Sequence, residues 1–161
     1  MGIGNGIAFQ DKLEEAGAAP LLYPLGTIRY ETDINGLMAK WMYCCAVADI
    51  TKYMAVTLDP STANGLGVKP AAAAGQRVLG FAQIAVTYAT KPYFWLQVGG
   101  HSYGTVKTGV SVGDPLTGTT TSGAAGQATE TGSGAYKNAI WNAFTANSSG
   151  SDATIEVFAP I

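Results

Sequence analysis

The chain has 161 residues and a formal net charge of −2; 47% of its residues are apolar and only 12% are charged. That length suits one domain with a core of ordinary size. Its nine Lys and Arg are spread singly, which excludes the basic stripe that nucleic-acid phosphates require, and no apolar run approaches the ~20 residues of a membrane-spanning helix. Neither nucleic acid nor membrane is therefore expected as a partner.

The charged share is half of the roughly 25% usual for globular domains. The surface must then be covered by Ser, Thr, Asn, Gly and Ala, a composition that suits extracellular proteins, virion proteins and members of large assemblies. Residues 1–24 read as an extended N-terminal arm. The opening "MGIGNGIAFQDKLEEAGAAP" has neither a basic leader nor a long apolar segment, so no secretory signal is expected. Gly6 stands where a myristoylation motif needs Ser or Thr. The glycines of "GIGNG" follow no strand and precede no Lys-Ser/Thr pair, so they form no phosphate loop. Apolar beads along the arm (Ile7, Phe9, Leu13, Leu21, Leu22 and Tyr23) need a surface to cover them, either the chain's own domain or a neighbour.

From Leu25 to the end the pattern predicts a single β-rich domain. Asn35-Gly36 is a hairpin signal between two alternating segments. In the second, Ala39, Trp41, Tyr43 and Cys45 alternate with Met38, Lys40, Met42 and Cys44. The adjacent cysteines point to opposite faces of a strand and should remain thiols. "MAVTLDP" predicts a strand ending at Asp59-Pro60, "STANGLG" a turn, and "VKPAAAAGQ" connecting chain. "RVLGFAQIAVTYAT" reads as a strand broken by Pro92, and "YFWLQVGG" as another, with His101 in the turn that follows. Valines 106, 110 and 112 suggest a strand interrupted at Gly109.

Residues 117–134, "TGTTTSGAAGQATETGSG", are polar and of low complexity, so a long Gly/Ser/Thr loop is expected there. "AYKNAIWNAFTANSS" fits two readings. Tyr136, Ile140 and Phe144 recur at helical spacing, whereas Ala139, Trp141 and Ala143 would share one face of a strand. "DATIEVFAPI" predicts a closing strand with Ile155 and Val157 inward. Short strands with frequent turns give the expected class: all-β, a small β-sandwich or barrel.

Chemistry-bearing residues are sparse. His101 is the sole histidine, and Ser102, Cys44, Cys45, Asp49 and Asp114 are its conceivable catalytic partners. No Gly-x-Ser-x-Gly elbow is present, and one histidine among scattered carboxylates gives no metal-ligand spacing. No catalytic residue, metal or cofactor is expected. Trp41, Trp95, Trp141, Tyr93 and Tyr103 read as core or protein interface, with a glycan platform as the alternative.

Several stretches resemble the capsid decoration (cement) proteins of tailed bacteriophages: Leu25-Gly26-Thr27; Val78, Gly80 and Ala82; Trp95, Gln97, Val98 and Gly100; and Gly113, Asp114 and Leu116. Phe94 departs from that pattern, which has Gly before the Trp, and the "WMYCC" strand is unusually crowded. The resemblance spans about residues 24–161. It implies a non-enzymatic protein on the exterior of the virion, assembled in the host cytoplasm and clamping neighbouring subunits of the major capsid protein as a homo-oligomer, trimer or dimer. The arm's apolar residues, with His101 and Tyr103, are then the expected capsid or protomer contacts. A head fibre base, a tail protein or a glycan- or receptor-binding module is the alternative.

Overall fold

The structure, a computed structural model, describes residues 16–18, 23–32, 37–62, 65–127 and 139–161. Ten strands form one mixed sheet, and there is no α-helix among the described residues. In chain order they are β1 (Ile28–Thr32), β2 (Met38–Ala46), β3 (Ala55–Asp59), β4 (Gly67–Pro70), β5 (Gly80–Phe81), β6 (Tyr93–Val106), β7 (Pro115–Gly118), β8 (Ala125–Gln127), β9 (Trp141–Ala143) and β10 (Ala153–Ala159). The all-β expectation holds.

The long strand β6, 14 residues, organises the whole sheet. One run of pairings goes from β2 through β4, β3 and β5 to β6 and back to β2. A second leaves β6 through β10, β9, β7 and β8 and returns to β6. Two closed circuits thus share one strand, which satisfies backbone groups that open edges would expose. Only β1 lies outside both, paired with β2 alone among the described strands.

The cores follow this plan. Cys44, Ala46, Val56, Val68, Phe94 and Leu96 gather the first circuit. Val106, Leu116, Trp141, Ala143, Ile155 and Val157 gather the second, joined by Val78 and Phe81 from the first. Phe81 meets Trp141 edge-on at 5.1 Å, so the two halves are keyed by an aromatic pair. On the other face of β2 and β6, Tyr43 and Trp95 are buried with Tyr23, Leu25, Trp41 and Tyr93 around them. The fully buried Cys44 and half-buried Cys45 are free thiols, as strand alternation requires.

Several expectations need correction. "VKP" is not connecting chain: Gly67–Pro70 is β4, antiparallel to β3. The strand expected from residue 77 onward shrinks to Gly80–Phe81, with a single further bridge between Ile50 and Val86. At Gly80 the chain crosses β6 so closely that a Cβ would overlap the Gln97 carbonyl oxygen. The burial of Val78, Ala82 and Val86 comes from irregular chain, which period-two alternation cannot distinguish from strand. Val112 belongs to a turn and is 67% exposed.

The polar stretch read as a loop contains the end of β7 and all of β8, while 128–134 lie outside the described residues. Thr117 is buried, and Gly118 exchanges backbone hydrogen bonds with Gln76 (2.7 Å) and Gly75 (3.0 Å). Backbone pairing, not side-chain hydrophobicity, makes this strand, so composition concealed it. Of the two readings for the segment before β10, the strand holds at Trp141–Ala143, with Trp141 and Ala143 inward; Tyr136 lies outside the described residues.

Candidate functional site

His101 is not in a turn. It sits in the middle of β6, because the strand continues straight through Gly99-Gly100. The register explains how. Lys40 faces Gly99 and Trp41 faces Gln97, leaving Val98 as an extra residue, a bulge. Gly100, at φ +85°, then passes β6 from β2 to β10, facing both Ala39 and Ala159.

Such a kink frees backbone carbonyls, and a buried polar network takes them up. The Gln97 amide donates to the His101 carbonyl at 2.6 Å and more weakly to that of Gly99 at 3.4 Å. The Ser102 hydroxyl donates to Gln97 Oε1 at 2.9 Å. Gln83 in turn donates to Ser102 Oγ (2.9 Å) and to the Tyr103 carbonyl (3.0 Å). Gln97 and Ser102 are buried, so these bonds cannot be replaced by water at no cost.

The network holds the opposite, outward face of the strand in place. Antiparallel register sets His101 opposite Phe158 and Tyr103 opposite Glu156 on that face. His101 and Tyr103 stand edge to face at 5.9 Å; His101 and Phe144 do so at 5.4 Å. Tyr103 meets Tyr53 at 6.0 Å, and Lys52 Nζ lies 4.8 Å above the Tyr53 ring. Phe144, Phe158 and Tyr103 are 56%, 42% and 39% exposed. The result is a continuous row, Lys52–Tyr53–Tyr103–His101–Phe144, with Phe158 beside it. Glu156 Oε2 is 3.7 Å from His101 Nε2.

Tyr53 adds a second signal. It is the one non-glycine residue with positive φ (69°) among the described residues, a conformation that costs about 1–3 kcal/mol and collects at functional positions. Its backbone is pinned on both sides, accepting from Thr105 N at 2.8 Å and donating to the Ala82 carbonyl. In this conformation the Tyr53 ring lies against Tyr103 at the end of the row.

The other sequence-predicted residues fall elsewhere. Tyr23 packs edge-on against Trp95 at 6.0 Å with the Arg29 guanidinium 4.4 Å over its ring, so it covers its own domain. Ile7, Phe9, Leu13, Leu21 and Leu22 lie outside the described residues. Nearby, Gly17 and Tyr93 exchange two backbone hydrogen bonds (2.7 and 3.1 Å), which ties one point of the expected arm to β6. The conceivable partners of His101 have other engagements. Ser102 belongs to the network behind the strand, Asp49 accepts from Tyr88 N, and Asp114 accepts from Ser111 N. Burial pushes the Cys44 thiol far above its ordinary range, with the neighbouring Cys45 adding to the effect. Among the described residues no cluster of three His, Cys, Asp or Glu side chains is placed to hold a metal ion.

Sequence reasoning singled out His101 and Tyr103 but missed Tyr53, Phe144 and Phe158. Phe158 was findable, since it alternates outward between Val157 and Ala159 on β10. Tyr53 and Phe144 reach the row from irregular chain; Tyr53 left no periodic signal, and the helical spacing of Phe144 with Tyr136 and Ile140 pointed to another element.

The pairing scheme defines the class: an all-β body of short strands wrapped on one long, kinked strand. Within that class the chain is similar in fold to the crystal structure of the head fiber gp8.5 N base in bacteriophage phi29. The TM-score is 0.54 at 12% sequence identity, and the match covers 74% of this chain and 92% of that one. No protein family matches the chain by sequence, and no curated protein does.

Proposed function

We propose that this chain is a structural component of a bacteriophage virion, a β body that attaches at the outside of the head and docks on protein through the aromatic row. The observation that carries the reading is the likeness of fold to a head fiber base, which takes in nearly the whole of that base. The surface chemistry agrees with it. Aromatic rings with polar tips bury large area at low entropic cost and dominate protein interfaces, and a chain with 12% charged residues has few ions to desolvate on docking.

The fold likeness favours the base of a head appendage. A second reading, a clamp between neighbouring major capsid subunits, draws on the sequence resemblance at Leu25-Gly26-Thr27, Val78, Gly80, Ala82, Trp95 and Gln97. In either case self-association would multiply modest contacts, since linked sites gain roughly 10²–10⁴ in avidity.

Reconstruction of the phage particle with the chain bound tests the proposal. Occupancy at a few head sites fits the appendage base, and occupancy across the whole lattice fits the clamp. A particle that carries no copy and takes up none from solution overturns both.

A further inference from the structure

Among the described strands β1 stands apart: the nine others each have at least two strand neighbours, whereas β1 has only β2. Its sequence is Ile28-Arg29-Tyr30-Glu31-Thr32. We infer that β1 is a self-pairing edge: two copies of the chain join antiparallel about a two-fold axis through Tyr30, extending the sheet from one protomer into the other.

The backbone is set for it. Tyr43 N donates to the Thr27 carbonyl at 2.9 Å. Hydrogen-bonded and non-hydrogen-bonded positions alternate along an antiparallel ladder. Counting on from Thr27, Arg29 and Glu31 turn their backbone groups toward β2, and Ile28, Tyr30 and Thr32 turn theirs outward. An antiparallel copy in that register takes up all three outward residues, about six hydrogen bonds across the axis.

The side chains select this register. A two-fold through Tyr30 sets Arg29 opposite Glu31 of the second copy, and Glu31 opposite its Arg29. Both opposite-charge pairs fall at the non-hydrogen-bonded positions, where Cα atoms approach to about 4.5 Å. A slip by one residue breaks this match. The other face of β1 carries Ile28 and Tyr30, 39% and 55% exposed, and Met38 on β2, 50% exposed, lies opposite Thr32. In the dimer, rows run Met38–Thr32–Ile28–Met42 and Lys40–Tyr30–Tyr30–Lys40 across the axis, so each of these apolar side chains gains a neighbour. The charge pattern is complementary to itself about the two-fold, as an isologous interface demands.

This deepens the self-association in the proposed function, yet it is tested without any particle. Light scattering and sedimentation of the full chain should show dimers. Arg29→Glu alone places like charges opposite each other, as does Glu31→Arg alone, and each should weaken self-association at least tenfold. Mixing the two variants restores complementary pairs and should give a mixed dimer. For the register, oxidation of Tyr30→Cys should give a covalent dimer above the wild-type background, and Glu31→Cys, two residues out of phase with itself, should not. That cross-link reads the register even if a charge variant fails to fold. A monomeric wild-type chain overturns the inference, as does an oligomer that neither charge variant weakens or a Glu31→Cys cross-link as efficient as Tyr30→Cys. If heads bind a monomeric chain, this inference fails and the virion reading stands.

Discussion

The Phe81 ring occupies the space that a side chain at Gly104 would need: a Cβ there would overlap Cδ1 and Cε1 and stand 2.9 Å from Cζ. Phe81 is fully buried against Trp141 at the join of the two circuits, so it has no room to retreat. Gly104→Ala should therefore destabilise the fold by about 1–3 kcal/mol, the usual cost of overpacking. Urea unfolding should show a lower midpoint with an unchanged slope. A midpoint equal to wild type would mean that the ring moves freely.

The network behind β6 is expected to act as a unit. Gln97→Leu leaves the His101 carbonyl unsatisfied and should cost about 1–3 kcal/mol; Ser102→Ala should cost about 1 kcal/mol. The two residues share a hydrogen bond, so the double variant should lose less than the sum, with a coupling of at least about 0.5 kcal/mol. Strict additivity would show that the bond contributes nothing to holding the strand.

The aromatic row should separate binding from stability. Phe144→Ala and Phe158→Ala remove exposed rings and should change stability by less than about 1 kcal/mol. Head binding by each variant should fall by a factor of about 10 or more, the loss typical of an interface anchor. Undiminished binding by both would move the docking surface elsewhere.

Asp59 gives the chain a defined acid response. Its carboxylate accepts the Ser61 hydroxyl at 2.6 Å and faces Lys69 Nζ at 3.0 Å. These contacts, the Ser61 hydroxyl first, lower its pKa to about 2 from an ordinary 3.8. A carboxylate with a depressed folded pKa stabilises the protein fully above its unfolded value and loses that contribution as pH falls through the folded one. Stability should thus decline between about pH 4 and pH 2, and Asp59→Asn, which keeps an acceptor for Ser61, should show a shallower decline. Parallel acid curves for the two proteins would refute the assignment.

Thiol reactivity follows burial. Cys44 is fully buried and burial also raises the Cys45 thiol, so neither is an activated nucleophile. Thiol titration at neutral pH should find Cys45 reacting slowly and Cys44 only after unfolding. Rapid labelling of both in the native state would contradict the packing of β2.

The closing strand was legible because Ile155 and Val157 alternate with Thr154 and Glu156, and one buried face suffices to write that pattern. The strand at "MAVTLDP" was legible too, ending where Asp59-Pro60 removes a donor. β6 was half legible. Gly99-Gly100 looked like a stop, and only the amide of Gln97 and the side chain of Gln83, brought from another segment, show why it is not one. Of the candidate site, His101 and Tyr103 were nominated from sequence, but the row they belong to was not visible there.

By itself the sequence determined an all-β chain with few charges, unbridged thiols and no run suited to a membrane helix, because composition and period-two alternation are local properties. Tertiary structure decided that one long strand serves two closed circuits, that low-complexity chain joins the sheet, and that rings from four separate segments meet on one face. Those outcomes rest on backbone pairing and on contacts between residues far apart in the chain, and local pattern carries no record of which distant segment will supply the partner.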